Sequence, residues 1–319
     1  MNHPNTIGLY KFMDTSSSHN YFLRSVEKIS EKNFLETLVG KDKDLNKSWY
    51  QQWAEGRSSH LCRIFNIING VPNSSGPILD IGSEGGCFYK PFKQYRPDLL
   101  PYHITDLGAK DEIEIDGDKV KSFNFECDKD ILPFDPQTLG LVLLCDVIEH
   151  LIVDPVWTIL EINRVLKLNG HFVVSTPNVA SMQRIGLILN GLNPCTDNHY
   201  TPTFIGGRHN REWSPFELVS CITDLGFELA AFSTNQEILT EYEKQFLAAL
   251  RSAGIIKLGD EHFGPDTVVI FKKTSHLTLS SNIDKDKRWP IYLYSSADCY
   301  RQRPSIFPVN VGKDPTIWT

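Results

Sequence analysis

The sequence predicts an α/β protein built on a mostly parallel sheet of seven strands with helices on both faces. Short apolar stretches alternate with longer amphipathic ones, which is typical of a parallel sheet wrapped by helices. Residues 139–145 are apolar almost throughout, as expected of a central strand buried on both faces. A glycine-rich turn at residues 82–86 follows the first strand. A helical N-terminal extension and an inserted lid complete the predicted architecture.

The strand candidates share short length and apolar content. They are, in chain order, Pro77–Ile81, Pro101–Thr105, Lys121–Glu126, Gly140–Leu144, His171–Ser175, Phe227–Phe232 and Thr267–Lys272.

The helix candidates are marked by apolar residues at three- and four-residue steps. Residues 21–71 show this spacing before the first strand. A helix over Val156–Leu168 has a proline near its start and Asn169-Gly170 as its stop. Ser214, as the N-cap, and Pro215, at the first helical position, predict another. Residues 237–254 are amphipathic and predict a further helix.

These patterns divide the chain into three parts. Residues 1–72 form the helical extension, residues 73–275 form the α/β domain with a lid at 179–213, and residues 276–319 form a C-terminal tail packed on the core.

Composition narrows the class of protein. The 319 residues carry a net charge of −7 and no long basic run, which disfavours nucleic acid as the main partner. The seven cysteines are scattered without a Cys-x-x-Cys pair, so neither a disulfide framework nor a structural zinc site is indicated, and a reducing cytoplasm is expected. No secretion signal or membrane span is apparent. The composition is compatible with a homo-oligomer.

The glycine turn is the first sign of a binding site. Asp80 lies near the end of the first strand, and Gly-Ser-Glu-Gly-Gly follows at 82–86. Backbone N–H groups at such a turn can hold an anionic group. A dinucleotide fingerprint needs glycine where Glu84 stands, so pyrophosphate, and with it a nicotinamide oxidoreductase, is disfavoured. A ligand with one carboxylate, a ribose and a positive centre fits better, and S-adenosylmethionine has all three.

Other strand ends carry polar groups that would meet at the same edge of the sheet. Asp106 could accept both hydroxyls of a ribose, and Asp128, ahead of the apolar Leu132–Phe134, could receive an adenine amine. Glu149 and His150 follow the fourth strand candidate. Each of these residues could instead have a structural role; His150, for example, could be a histidine that donates to a carbonyl oxygen.

Taken together, these segments resemble class I S-adenosylmethionine-dependent methyltransferases over about residues 70–275. The segments that carry the resemblance are Asp80–Gly86, Asp106, Asp128 with 132–134, Asp146–His150 and Glu161–Gly170. The resemblance implies a Rossmann-like fold, S-adenosylmethionine as cofactor, and methyl transfer. It implies cofactor contacts from Asp80, Gly82, Ser83, Gly85, Gly86, Asp106, Leu107, Asp128, Lys129, Cys145 and Asp146.

A narrower resemblance concerns the acceptor. Residues 206–218 are similar to the His-x-Arg-Glu-aromatic-Thr/Ser-x-x-Glu-Leu segment of methyltransferases encoded among polysaccharide and glycan biosynthesis genes, and residues 288–294 are similar to the ends of those proteins. The resemblance implies a hydroxyl of a sugar, nucleotide sugar or glycan precursor as acceptor.

A hydroxyl acceptor must lose its proton, for which a base is needed. His209 is the first candidate, followed by His150, His199 and Asp197. Asn178, Arg208 and Arg211 are expected at the acceptor, the arginines through bidentate bonds to a phosphate.

Several alternatives stay open. His209, Arg211 and Glu212 could instead anchor the lid. Asp197 and His199 could ligate a divalent cation, but two ligands without a third do not define a site, and no metal is assigned. A small-metabolite or quinone-type O- or C-methyltransferase shares the same core, although the polar run at 190–200 favours a polar acceptor. A non-catalytic methyltransferase-fold subunit is the remaining alternative.

Overall fold

The computed structural model describes residues 27–39, 49–73, 75–127, 129–152, 155–195 and 208–277. Its strands are β1 (Ile78–Ile81), β2 (Tyr102–Asp106), β3 (Glu112–Ile115), β4 (Asp118–Asn124), β5 (Leu139–Cys145), β6 (Leu166–Pro177), β7 (Phe227–Ser233) and β8 (Asp266–Lys273). Its helices are α1 (Glu31–Val39), α2 (Trp49–Ile68), α3 (Tyr89–Tyr95), α4 (Pro155–Val165), α5 (Met182–Leu189), α6 (Pro215–Thr223) and α7 (Glu241–Ser252).

The strands form one sheet in the order β3-β4-β2-β1-β5-β6-β8-β7. The five central strands, from β4 to β6, are parallel. Strand β8 runs antiparallel between β6 and β7, and β3 is antiparallel to β4. The predicted α/β class and mostly parallel sheet are therefore confirmed.

The sheet has eight strands instead of the predicted seven, because β3 was missed. Asp116 and Gly117 connect β3 to β4 with φ angles of +56° and +80°. Positive φ at both central residues is the geometry of a tight hairpin turn. Strand β3 alternates Glu and Ile and lies at the sheet edge, so its apolar content is too low to stand out as a core strand.

Both faces of the sheet are covered by helices, as predicted. In β5, Val142 and Leu144 pack into a core shared with α4 and α6. Leu141 and Leu143 point to the opposite face, into a core shared with α1, α2 and α3. Alternate side chains of one apolar strand therefore serve two cores, which explains its unbroken apolar sequence.

The helix boundaries differ from the prediction most clearly at the end of α4, and α7 (Glu241–Ser252) is shorter than the predicted 237–254. Helix α4 ends at Val165, and β6 begins at Leu166. Asn169, with a φ of +64°, and Gly170 lie within β6, where the pairing with β5 shifts register. The predicted helix stop is thus an irregularity in a strand. The predicted start of α6 is confirmed, because Ser214 and Glu217 form a reciprocal capping box.

The described residues cover only part of the three predicted parts of the chain. Helices α1 and α2 belong to the extension and share a core with the sheet. Helix α5 lies in the 179–213 segment, of which residues 196–207 lie outside the described part, as does the tail from 278 onwards. None of the helices that the structure describes is long and apolar enough to cross a membrane.

Candidate functional site

The candidate site lies at the edge of the sheet where the parallel strands β1, β2 and β5 end. Strands β1 and β2 are neighbours, as are β1 and β5, so the residues that follow them are brought together. Strand β8 is antiparallel and begins at this edge, which adds Asp266 to it. This is the position at which open α/β sheets bind ligands.

The glycine turn after β1 is packed on one side and open on the other. Gly82, Gly85 and Gly86 have φ angles of +69°, +78° and +82°. A Cβ atom on Gly82 would lie 2.6 Å from Val147 Cγ2, and one on Gly86 would lie 2.5 Å from Ile115 Cδ1. A Cβ atom on Gly85 would meet no atom within 4 Å. The turn therefore needs glycine for its own packing and leaves space beside Gly85.

Asp106, at the end of β2, holds this turn in place. Its carboxylate accepts hydrogen bonds from Ser83 Oγ at 3.0 Å and from the backbone N–H groups of Gly85 at 3.2 Å and Glu84 at 3.3 Å. A carboxylate offers about four acceptor positions, so capacity remains for a further donor. The next residue, Leu107, has 61% of its surface exposed and offers an apolar surface beside the carboxylate.

Asp80 lies beneath the turn. Its side chain is buried and accepts a hydrogen bond from the hydroxyl of Tyr102. Burial raises the pKa of Asp80 to about 7; the bond from Tyr102 opposes this shift and the nearby charge of Asp106 adds to it. The Asp80 carboxylate, for which a cofactor contact is predicted, is therefore buried and already hydrogen-bonded within the protein.

Asp146, the residue after β5, is held by α2. Its Oδ2 lies 2.6 Å from His60 Nε2 and 3.1 Å from an Arg57 guanidinium nitrogen, and its Oδ1 accepts from Ser175 Oγ at 2.7 Å. His60 Nδ1 lies 3.3 Å from Asp266 Oδ2.

This ion-pair network shifts the pKa values of its members. Burial disfavours the charged form of His60, but the charges of Asp146 and Asp266 outweigh it and raise the pKa of His60 to about 10. Burial likewise disfavours the Asp146 carboxylate, yet His60 and Arg57 hold the pKa of Asp146 at about 2. Both groups are charged at neutral pH.

Sequence reasoning missed this contribution of α2. Arg57, His60 and Arg63 recur at three-residue intervals, and Arg63 pairs with Asp266 at 3.2 Å. A polar stripe on an otherwise core-facing helix is the signal that could have found them.

A second cluster forms where a short 3₁₀ turn, Ile148–His150, follows β5. Glu149 is 1% exposed, and its Oε2 accepts from Thr176 Oγ1 at 3.0 Å. Burial raises the pKa of Glu149 well above its usual range. The rings of His150 and His209 lie edge to face with centroids 4.9 Å apart. One potential ligand atom from each of Glu149, His150 and His209 lies within 4.8 Å of the other two.

The segment that carries His209 is bound to that turn. The backbone N–H groups of Asn210 and Arg211 donate to the Glu149 carbonyl oxygen at 2.7 and 3.2 Å. The side-chain amide of Asn210 donates to the carbonyl oxygen of His150 at 2.8 Å. The structure thus brings together His150 and His209, two residues that were predicted to lie at the same crevice.

The predicted acceptor residues already have partners within the protein. Asn178 is fully buried, and its amide donates to the carbonyl oxygens of His262 and Gly264. Arg208 Nε contacts Asn210 Oδ1 at 2.9 Å. Arg211 pairs with Glu217 at 2.7 Å and lies over the ring of Trp213.

Of the remaining predicted residues, the structure describes two and leaves three outside its described part. Cys145 is half-buried at the end of β5, and burial raises the pKa of its thiol. Lys129 pairs with Glu126 at 2.6 Å and is about half exposed. Asp128, Asp197 and His199 lie outside the described residues.

S-adenosylmethionine fits this edge in space and in charge. The open side of Gly85 leaves room against bare backbone, and the Asp106 carboxylate beside it suits a ribose. Glu84 is exposed on the same turn and adds a second carboxylate, which would suit a cofactor that carries positive sulfonium and ammonium groups. Gly82 to Gly86 and Asp106 are the residues that would hold it.

Comparison with known proteins agrees with this fit. Residues 79–174 match the family model described as a methyltransferase domain. This range contains β1, the glycine turn, Asp106, the turn after β5 and most of β6. On this match the predicted enzyme class and cofactor are confirmed: the chain is an S-adenosylmethionine-dependent methyltransferase.

Solved structures are similar at low identity. An S-adenosylmethionine-dependent methyltransferase from Archaeoglobus fulgidus is 20% identical, with a TM-score of 0.47 over 71% of this chain and 100% of that one. A Haloferax volcanii structure of a complex with the Trm112 methyltransferase activator is 14% identical, with a TM-score of 0.45 over 70% and 95%. A search of curated proteins found no match to this chain.

Proposed function

We propose that this methyltransferase transfers the methyl group of S-adenosylmethionine to a hydroxyl of a polar acceptor, namely a sugar, a nucleotide sugar or a glycan precursor. One observation carries the proposal. The Glu149–His150–His209 cluster follows β5, and the glycine turn follows its neighbour β1, so a proton-handling cluster and a donor site share one edge of the sheet.

The donor half of the site rests on the turn and on Asp106. The backbone of residues 82–86 would receive the methionine end, and Asp106 would accept the ribose hydroxyls. Leu107 would cover the adenine, and Asp128 stays the predicted contact for its amine. When bound, the cofactor supplies a methyl group already activated by a sulfonium. The protein's task is therefore alignment and exclusion of water, which can lower the barrier by about 7–11 kcal/mol.

The acceptor half rests on the cluster. A hydroxyl is a weak nucleophile until its proton is removed, and a positioned group contributes roughly 10²–10⁴-fold to that step. His150 and His209 offer imidazole nitrogens next to the buried Glu149 carboxylate. These three residues are the only cluster of this composition among the described residues.

Polar surroundings support a polar acceptor. Arg208, Arg211 and Glu212 flank His209, and their hydrogen-bonding groups could exchange protein partners for acceptor oxygens. The resemblance of residues 206–218 to glycan methyltransferases points to the same acceptor class.

A second candidate acceptor is favoured by a specific observation. Ile188, Leu189 and Leu192, at the end of α5 and just after it, are 55%, 66% and 58% exposed. An apolar surface of this kind is what a quinone-type or other lipophilic acceptor would contact.

The test has two stages. Calorimetry with S-adenosylhomocysteine first measures whether the full chain binds the cofactor, and absence of binding would refute the proposal. Transfer of a labelled methyl group is then screened in parallel against nucleotide sugars, free glycans and quinone-type phenols. Labelling of the sugars supports the proposal, labelling of the phenols alone selects the second candidate, and binding without any labelling favours the non-catalytic subunit.

A further inference from the structure

We propose that Glu149, His150 and His209 bind a divalent transition-metal ion, which coordinates the acceptor hydroxyl. This inference rests on the proposed function above and deepens it, because it assigns activation of the acceptor hydroxyl to a bound ion, with His150 and His209 as ligands of that ion and not as the base.

The ligand set and its geometry suit such an ion. Two imidazoles and one carboxylate offer ligand atoms within 4.8 Å of one another, close enough to converge on one ion. Two histidines and one carboxylate on a single metal leave coordination positions open for a substrate oxygen, as in catalytic zinc and iron sites. The mixture of imidazole and carboxylate favours zinc, manganese, iron or cobalt over magnesium or calcium.

Each imidazole is oriented by a second protein group. His150 Nδ1 lies 3.0 Å from the carbonyl oxygen of Arg208, which can only accept, so Nδ1 carries the proton. His209 Nδ1 lies 3.1 Å from the carboxylate of Glu212, with the same consequence. Both contacts fix the tautomer in which Nε2 holds the lone pair, and we assign coordination to Nε2. Metal-ligating histidines usually donate their other N–H in this way.

The Glu149 carboxylate is also oriented by a neighbouring protein group. Its Oε2 accepts from Thr176 Oγ1, which leaves Oε1 to coordinate. Although it is 1% exposed, Glu149 forms no ion pair with any lysine, arginine or histidine in the described part of the chain. Arg184 pairs with the other buried carboxylate of this region, that of Glu212, at 3.1 Å. A buried carboxylate without a cationic partner is costly, and either protonation or a bound cation removes that cost.

The two segments that carry the ligands are joined before any ion binds. Four hydrogen bonds connect them: two to the carbonyl oxygen of Glu149, one to that of His150, and one from His150 Nδ1 to the carbonyl oxygen of Arg208. The ligands therefore come from a preorganised pair of segments, and little conformational freedom has to be lost on binding.

The chemistry balances without a redox step. Coordination of the acceptor hydroxyl to a divalent ion lowers the pKa of that hydroxyl, and its proton leaves to solvent. The acceptor oxygen then forms the new O–CH₃ bond while the S–CH₃ bond breaks, and the electron pair of that bond stays on sulfur. The ion keeps its charge throughout and is released from the product oxygen when that oxygen dissociates.

The test is metal binding by the full-length protein after chelator treatment and dialysis. Titration with Co²⁺, followed by its visible absorption, and calorimetry with Zn²⁺ should both show one ion per chain. His150→Ala and His209→Ala should each weaken Co²⁺ binding by at least about tenfold. Glu149→Gln, which keeps an oxygen for Thr176 and removes the charge, should weaken it comparably.

A matched control separates this site from incidental histidine binding. His103 is a half-buried histidine on β2, outside the cluster, and His103→Gln should bind Co²⁺ as the wild type does. Absence of Co²⁺ binding to the wild type, or equal loss in His103→Gln, would overturn the metal site.

The two proposals fail in distinguishable ways. S-adenosylhomocysteine binding is measured on the same chelator-treated protein, because the glycine turn and Asp106 do not include the metal ligands. Cofactor binding without Co²⁺ binding overturns the metal site alone. Loss of cofactor binding in the wild type overturns the proposed function.

Discussion

The Nε2 atom of His60 lies 2.6 Å from Oδ2 of Asp146, which follows β5. A helix that precedes the sheet thereby contacts the edge where the donor site is proposed to lie. His60 also faces Asp266, so its positive charge separates two carboxylates that would otherwise repel each other. The N-terminal helices are thus part of the same folding unit as this edge.

Removal of this charge should destabilise the fold. In His60→Gln, two poorly exposed carboxylates lose their shared cation, and breaking a buried pair costs about 3 kcal/mol. Urea denaturation should show a lower free energy of unfolding than for the wild type. Lys244→Gln, which removes an exposed ion pair with Glu241, is the control and should leave the denaturation midpoint unchanged. Equal stability of His60→Gln and wild type would contradict the prediction.

The contribution of His60 should depend on pH. Its pKa is about 10 in the folded protein, against about 6.5 for an unperturbed histidine. A group whose folded pKa is raised stabilises fully below its unfolded pKa, and the contribution is lost as pH rises through the folded pKa. The difference in unfolding free energy between wild type and His60→Gln should therefore be largest below about pH 6.5 and vanish above about pH 10. A difference that grows with pH would have the wrong sign.

Loss of the Asp106 carboxylate should weaken cofactor binding. Asp106→Ala removes the predicted ribose acceptor and three hydrogen bonds that hold the glycine turn. A hydrogen bond to a charged group contributes about 1.5–3 kcal/mol, so affinity for S-adenosylhomocysteine should fall by about tenfold or more. Asp111→Asn, at an exposed position beyond β2, is the matched control. Wild-type affinity in Asp106→Ala would exclude the ribose assignment.

Alanine substitutions at two neighbouring glycines should affect fold stability and cofactor binding differently. Gly85 and Gly86 both have positive φ, so alanine at either costs about 1–2 kcal/mol in backbone conformation. In Gly86→Ala the new Cβ also overlaps Ile115, so thermal stability should fall further. In Gly85→Ala the Cβ enters open space where the cofactor is proposed to lie, so calorimetry should show the larger loss of cofactor affinity. The reverse ranking would place the cofactor elsewhere.

The sequence predicts the sheet well, and it predicts which strand ends meet at one edge, because both depend on local patterns. Apolar strands, the Gly82–Gly86 turn and the acids at strand ends are short-range features, and parallel order brings them together. What could not be predicted depends on contacts between distant segments. His60 and Asp266 are 206 residues apart, and only the antiparallel placement of β8 brings them together. The sequence predicts Asn178 at the acceptor, but its amide donates to carbonyl oxygens of a loop more than 80 residues away.

The carbonyl oxygen of Glu149 receives two backbone N–H groups from the segment that also carries His209. Any movement that breaks these bonds would carry His209 away from His150 and Glu149. Binding at the cluster and docking of the segment are therefore thermodynamically linked, and each must favour the other by the same factor. The proposed metal site is therefore complete only when this segment is docked.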